Sequence, residues 1–272
     1  MPPFANLPAA KVRLIRDLLT NKNTRDRERT FVIEGAKPIQ ELLDANAAAL
    51  QTVVVTESWL KKNDRHGRER LEQSRAPVYV CRDSVFERLS GVRTPSGILA
   101  LVRCPLWNQE TIFQQPHMFG LYGDRLQDPA NVGTIIRTAA GFGLDALWLS
   151  SDSVDVFNPK IVRATAGGIL TLPVFYITDA GLFGRQGCTL LAAEPPGSDS
   201  RALQDITGLP ARAILALGNE SRGLSEATRR QAPLRFHIPV SHNIESLNLG
   251  ASAAIAMFYL SGLPREDVKR KT

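Results

Sequence analysis

The segment ILALGNESRGLS, residues 214–225, carries an apolar strand into a polar turn at one glycine, Gly218. A glycine there lets a ligand come close to the backbone, and Glu220 offers a carboxylate to a basic group. The alternative is an ordinary strand-to-loop turn, which is common. Outward from this segment the chain keeps alternating. Upstream, from His117, the strand MFGLYG leads to a helix over about 131–142, then ALWLS, a helix near 159–166, ILTLPVF and CTLLAA. Downstream lie a short helix after Leu224, the strand RFHIPV and a final helix over about 247–260. Strands alternating with helices predict parallel βαβ units with helices on both faces of one sheet. Ligands bind such sheets outside the carboxyl ends of the strands.

Two more polar segments follow predicted strands. In DRLQDPANVGTIIRTAAGFG, residues 124–143, Asp128 can cap a helix and Pro129 suits its first position. Asn131 and Arg137 are polar residues in an otherwise apolar helix containing Val132, Ile135, Ile136 and Ala139. In isolation they read as a secondary cap and a surface charge. In HIPVSHNIESLNLGASAAIAMFYL, residues 237–260, Ser246, Leu247 and Asn248 open a helix of small residues, Gly250 to Ala254. Small residues allow close backbone packing, and the free amides of a helix N-terminus suit a carboxylate or phosphate. A capped, tightly packed core helix is the other reading.

At 272 residues the chain exceeds the usual domain length of roughly 100 to 200, so two domains or one large α/β domain are expected. With 43% hydrophobic and 22% charged residues, disordered, collagen-like and coiled-coil classes are excluded. The net charge of +6 is unevenly placed: residues 1–103 hold 18 Lys and Arg against 12 Asp and Glu, whereas 104–272 hold 15 of each. That asymmetry suggests either a polyanion-facing module joined to a neutral one or simply a basic soluble surface. Residues 1–103 read as a small α/β module: a helix over 7–19, the basic turn NKNTRDRERT, the strand FVIEG, a helix through Pro38 and Leu43, the run Val53 to Thr56, a charged helix over 58–74, and strands near 78–80 and 98–102. The proline-bounded CPLWNQETIFQQP, residues 104–116, reads as a linker.

Cys81, Cys104 and Cys188 are far apart and form no C-x-x-C pair, which excludes a disulfide framework and a thiolate zinc site. His66, His117, His237 and His242 lack metal-ligand spacing, so no metal is expected; His242 is a candidate proton acceptor or an exposed residue. The N-terminal residues lack an apolar signal core, and no run of about 20 apolar residues occurs, so a cytoplasmic protein without membrane attachment is expected. GFG at 141–143 closes a helix and the full G-x-G-x-x-G is missing, which removes a nicotinamide-dependent oxidoreductase.

Together, and in this order, the three polar segments resemble the SpoU (TrmH) family of S-adenosylmethionine-dependent RNA 2′-O-ribose methyltransferases. The resemblance rests on N-x-G-x-x-x-R-T, L-G-N-E-x-R-G-L-S and I-P…S-L-N, and covers 117–272. NPKIVRATAGGILTLPV, residues 158–174, is similar to the family's intermediate segment, and residues 1–103, with FVIEGAKPIQELL, resemble the substrate-binding domain of rRNA-modifying members. The implied fold class is α/β with two domains: an RNA substrate-binding domain over 1–103, a linker over 104–116, and a parallel-sheet α/β/α SPOUT-type methyltransferase domain over 117–272 with a C-terminal trefoil knot. The family overrides the near absence of true knots among proteins.

The resemblance also implies roles. S-adenosyl-L-methionine is held by backbone groups of Leu217, Gly218, Ile238 and Leu247. Arg137 matches the family's arginine implicated in catalysis. As a planar, charged guanidinium it reads as a phosphate anchor or a stabiliser of developing alkoxide charge, and a base role stays open. Asn131 would position the ribose or Arg137, Glu220 would orient Arg137 or the substrate hydroxyl, and Ser246 and Asn248 would shape the third loop. Arg25, Arg27 and Arg29, with Lys11, Arg13, Arg16 and Lys22, are candidate RNA phosphate contacts or solvated charges. The expected partners are RNA, with rRNA ahead of tRNA, and a second copy in a homodimer, with no membrane and no metal. The alternatives are a non-catalytic RNA-binding or ribosome-assembly protein on the same scaffold and a tRNA-directed methyltransferase. Housekeeping and antibiotic-resistance roles both fit.

Overall fold

The structure, a computed structural model, describes residues 4–62, 71, 76–197, 199–241 and 246–265. In chain order its elements begin with β1 Ala5–Asn6, α1 Ala9–Thr20, α2 Lys22–Glu28, β2 Thr30–Glu34, α3 Ala36–Asn46, β3 Leu50–Thr56, α4 Glu57–Lys62, β4 Val78–Cys81, α5 Asp83–Glu87 and β5 Ile98–Arg103. They continue with α6 Gln109–Phe113, β6 Met118–Asp124, α7 Pro129–Gly141, β7 Leu147–Ser150, α8 Pro159–Ala164, β8 Val174–Ile177, α9 Gly181–Arg185 and β9 Thr189–Ala193. The last are β10 Arg201–Ala202, β11 Arg212–Gly218, α10 Glu226–Gln231, β12 Leu234–His237 and α11 Leu249–Ser261. Most of the charged helix expected over 58–74, and both His66 and His242, lie outside the described residues.

Two compact units result. The first runs to Leu106 and takes in Asp155–Leu170; the second holds Trp107–Val154 and the chain from Thr171. In the first, the strand order is β1-β4-β3-β5-β2, with β5 antiparallel to β2 and β3. The helical spacing of α1 puts Ile15 and Leu18 in a core with Val32, Val54, Leu99 and Leu101. The division departs from the boundaries expected in the sequence in two places. Residues 109–113, expected as linker, form α6: its Phe113 ring stacks on Trp148 at 5.1 Å, and Gln109 Oε1 accepts from Trp148 Nε1 at 3.0 Å. Residues 155–170, expected in the second domain, group with the first unit, where Phe157 meets Phe31 at 4.8 Å.

The basic stretch expected as a turn is helix α2. The Asn21 side chain caps it by accepting from Asn23 N at 2.8 Å, and Arg29 ends it in the left-handed region. Within that helix Arg25 is buried: its guanidinium meets Asp155 Oδ2 at 2.7 Å, with side chains 5% and 10% exposed, and also donates to the Leu18 carbonyl. The assignment of Arg25 to RNA phosphate is therefore corrected, because its donors are committed inside the protein. Arg27 and Arg29 stay exposed. Removing one member of a buried ion pair leaves the other uncompensated, so Asp155→Ala is expected to destabilise the first unit by about 3 kcal/mol, measured by denaturant unfolding. A loss below about 1 kcal/mol would mark an ordinary surface bridge.

The second unit has the expected parallel sheet, in the order β10-β12-β9-β11-β6-β7-β8. Period-two alternation puts Met118, Tyr122, Trp148, Leu190 and Ile214 into one core with Phe113 and Phe183. Helices α7 and α11 pack together, burying Val132, Ile135 and Ile136 with Ala253, Met257 and Leu260. No described helix is long and apolar enough to cross a membrane.

Candidate active site at the carboxyl edge of the second sheet

Helix α7 starts where Asp128 and Pro129 predict: the Asp128 side chain accepts from Ala130 N at 2.9 Å, and Pro129 opens the first turn. This fixes Asn131, only 6% exposed, on that turn. Its Nδ2 donates to Glu220 Oε1 at 3.3 Å, and its Oδ1 accepts from Asn248 Nδ2 at 2.8 Å. Asn248 also caps α11, where its Oδ1 accepts from Ala251 N at 3.2 Å. Glu220 accepts from the main-chain amides of Asp128 at 3.2 Å and Gln127 at 3.4 Å, placing its charge at the positive start of α7. Polar residues from all three segments thus form one connected network.

Arg137 does not join it. Six positions beyond Asn131 it lies about 600° further round the helix, on another face. Its side chain is exposed and has no hydrogen bond or ion pair among the described residues. Within one protomer Asn131 is engaged with Glu220 and Asn248, and Glu220 with Asn131 and the amides of Gln127 and Asp128, so neither holds Arg137 here.

The loop after β11 is closed on itself. Asn219 N donates to Gly223 O at 3.1 Å and Gly223 N to Asn219 O at 2.8 Å, while Asn219 Oδ1 accepts from the amides of Ser221 and Arg222, each at 3.1 Å. A Cβ on Gly218 would lie 2.2 Å from both Gly223 C and Leu224 N, so only glycine fits this crossing. Two residues missed in the sequence secure it. Arg125, with φ 59°, donates from Nη2 to Gly223 O at 3.2 Å and accepts at its own carbonyl from Asn219 Nδ2 at 2.8 Å. Buried Asp124 accepts from Ser225 N at 2.7 Å and Thr228 Oγ1 at 2.9 Å. Their only sequence signal is a charged pair at the end of an apolar strand.

A cavity of about 1040 Å³ opens at the carboxyl ends of β9, β11 and β12, bordered by Glu194, Leu217, Gly218, Glu220, Ile238, Ser246, Leu247 and Asn248. The backbone amide and carbonyl groups of Ile238 and Leu247 have no main-chain partner among the described residues. A roomy, half-apolar cleft with spare backbone donors and acceptors fits a nucleoside-bearing cofactor. Thiol chemistry does not fit: burial pushes the Cys81 and Cys104 thiols up to about 11, and raises Cys188 as well. Among the described residues no cluster of His, Cys, Asp or Glu could hold a metal.

A parallel sheet with such a cleft at its carboxyl edge places the protein among the α/β enzymes that hold a nucleoside cofactor beyond their strand ends. Residues 118–258 match the SpoU rRNA Methylase family, and residues 9–100 match the MRM3-like substrate binding domain. The chain belongs to the SpoU rRNA Methylase family and is an S-adenosylmethionine-dependent RNA methyltransferase. It is 28% identical to the 23S rRNA (guanosine(2553)-2'-O)-methyltransferase RlmP of Bacillus subtilis, over 94% of this chain and 99% of that relative. It is also 28% identical to a 23S rRNA (uridine(2479)-2'-O)-methyltransferase of Streptomyces viridochromogenes, over 89% and 85% of the two chains. The AdoMet-bound rRNA methyltransferase of Sinorhizobium meliloti superposes with a TM-score of 0.79 at 25% identity, over 94% of this chain and 95% of that one.

Proposed function

We propose that this protein methylates a ribose 2′-hydroxyl of ribosomal RNA, and that the Asn131–Glu220–Asn248 network at the rim of the cofactor cavity is the observation that carries the reading. S-adenosylmethionine, when bound, supplies an electrophilic methyl group on its sulfonium. Backbone groups at Leu217, Gly218, Ile238 and Leu247 hold it, which explains why apolar side chains serve at these positions. Asn131, locked by two side-chain partners, presents a rigid edge to the ribose, and Ser246 lies at the same rim. Rigid placement is worth much here, since in-line transfer to a weakly acidic hydroxyl depends on alignment.

Arg137 stabilises the developing alkoxide or anchors the adjacent phosphate, and it does so in a second copy's site. The support is an exposed apolar face formed by α11 and the end of α7, the helix that carries Arg137: Phe258 is 69% exposed, Ile255 and Phe142 are exposed as well, and the rings of Phe142 and Phe258 lie 6.0 Å apart. A homodimer covers that face and carries Arg137 to a partner's cavity. The trefoil knot is proposed from membership of the family alone. Arg27 and Arg29, with Arg13 and Arg16, are exposed and serve as RNA phosphate contacts in the first unit. A cytoplasmic location follows from the substrate. The two relatives act on different nucleotides of 23S rRNA, so the reading extends to the RNA class and stops there.

Incubation with methyl-labelled S-adenosylmethionine and separate rRNA and tRNA pools is the test. Label recovered as 2′-O-methylnucleoside from 23S rRNA is expected. Label on a base, or in tRNA alone, would overturn the proposal, and cofactor binding with no transfer to any RNA would favour a non-catalytic assembly role.

A further inference from the structure

Resting on that cofactor assignment, we infer that Glu194 is the acceptor for the ribose diol of the cofactor and so selects an intact ribonucleoside. Glu194 is the first residue beyond β9, the strand between β11 and β12, and its amide donates to Phe236 O at 3.0 Å. It therefore borders the cavity at the end of β9, between Gly218 at the end of β11 and Ile238 just beyond β12. Pro195 and Pro196 follow it. A residue before proline is confined to extended conformations, and two prolines in succession stiffen the wall that continues from the carboxylate.

The side chain is only 10% exposed, and its Oε2 is held by Arg229 Nε at 3.0 Å. Arg229 borders the same cavity from α10. Among the described residues the hydrogen bond to this carboxylate is the one from Arg229, and neither oxygen is a buried atom left without a partner, so acceptor capacity stays open to the cavity. Because the guanidinium already balances the charge, neutral donors complete the site better than a second cation would. Two adjacent hydroxyls supply such donors in the spacing a carboxylate accepts, as acidic residues do for ribose at the strand ends of dinucleotide folds. The ammonium of the cofactor's amino-acid end, by contrast, would crowd Arg229. None of the residues assigned to methyl transfer makes this contact.

Isothermal titration of the full-length protein with S-adenosylhomocysteine, its 2′,3′-dideoxy analogue and its deamino analogue tests the assignment. Wild type should bind the parent ligand at least roughly 10-fold more tightly than the dideoxy form, the range expected for hydrogen bonds to a charged group. Glu194→Ala should lose that preference by weakening the parent alone, with dideoxy binding unchanged. Glu194→Gln, which keeps shape and an acceptor oxygen, should show an intermediate preference. Equal weakening of both ligands, or a preference lost only against the deamino analogue, would overturn the proposal. Failure of wild type to bind any of the three would instead overturn the cofactor assignment beneath it.

Discussion

Gly218→Ala is expected to abolish cofactor binding and to lower the stability of the second unit by at least about 3 kcal/mol. Overpacking by one methyl group typically costs about 1 to 3 kcal/mol because neighbours can shift. Here they cannot. The atoms 2.2 Å from the new Cβ are the backbone of Gly223 and Leu224, held by two main-chain bonds across the loop and by Arg125 Nη2. On the other side Gly218 is in register with Asp124 of β6, so the strand cannot retreat without breaking the sheet. Calorimetry with S-adenosylhomocysteine and thermal unfolding read the two effects. Gly223→Ala is the control: nothing lies within 4 Å of its Cβ position, and its φ of +65° leaves only a conformational cost of about 1 to 2 kcal/mol. If Gly218→Ala bound cofactor as well as Gly223→Ala does, the closed crossing would have no part in the site.

Arg137→Ala should eliminate methyl transfer, by about 100-fold or more, while cofactor affinity stays within about threefold of wild type. The two readouts separate because Arg137 is absent from the cavity wall and touches nothing in the network around Asn131. If the arginine acts across a dimer, Phe258→Glu should reproduce the pattern: a monomer by sedimentation, with cofactor bound and transfer lost. Full single-turnover activity in Arg137→Ala would remove the residue from the mechanism. Full activity in a Phe258→Glu monomer would instead confine it to its own protomer's site.

The strands of the second unit are legible because each long one is a short apolar run buried on both faces and bounded by polar turns. β10 is not legible, since Arg201 and Ala202 contain no run at all. Asn131, Glu220 and Asn248 stand out as polar residues next to apolar helices or strands, but their mutual hydrogen bonds do not, being made between segments far apart in sequence. Arg137 shares a motif with Asn131 without sharing a face of α7. Arg25 fails for a related reason. Its partner Asp155 lies 130 positions away, and charge counting cannot tell a buried guanidinium from a solvated one. Asp124, Arg125 and Glu194 escape notice because a single charge at the end of a strand has no period to betray it.

Asn131 draws its two side-chain partners from positions 89 and 117 residues further along the chain. During synthesis the first unit's own sheet and the early strands of the second can form while Glu220 and Asn248 are still unmade. A growing chain can therefore carry its basic N-terminal helices well before it owns the polar network of the second unit, which only the arrival of the last long helix completes.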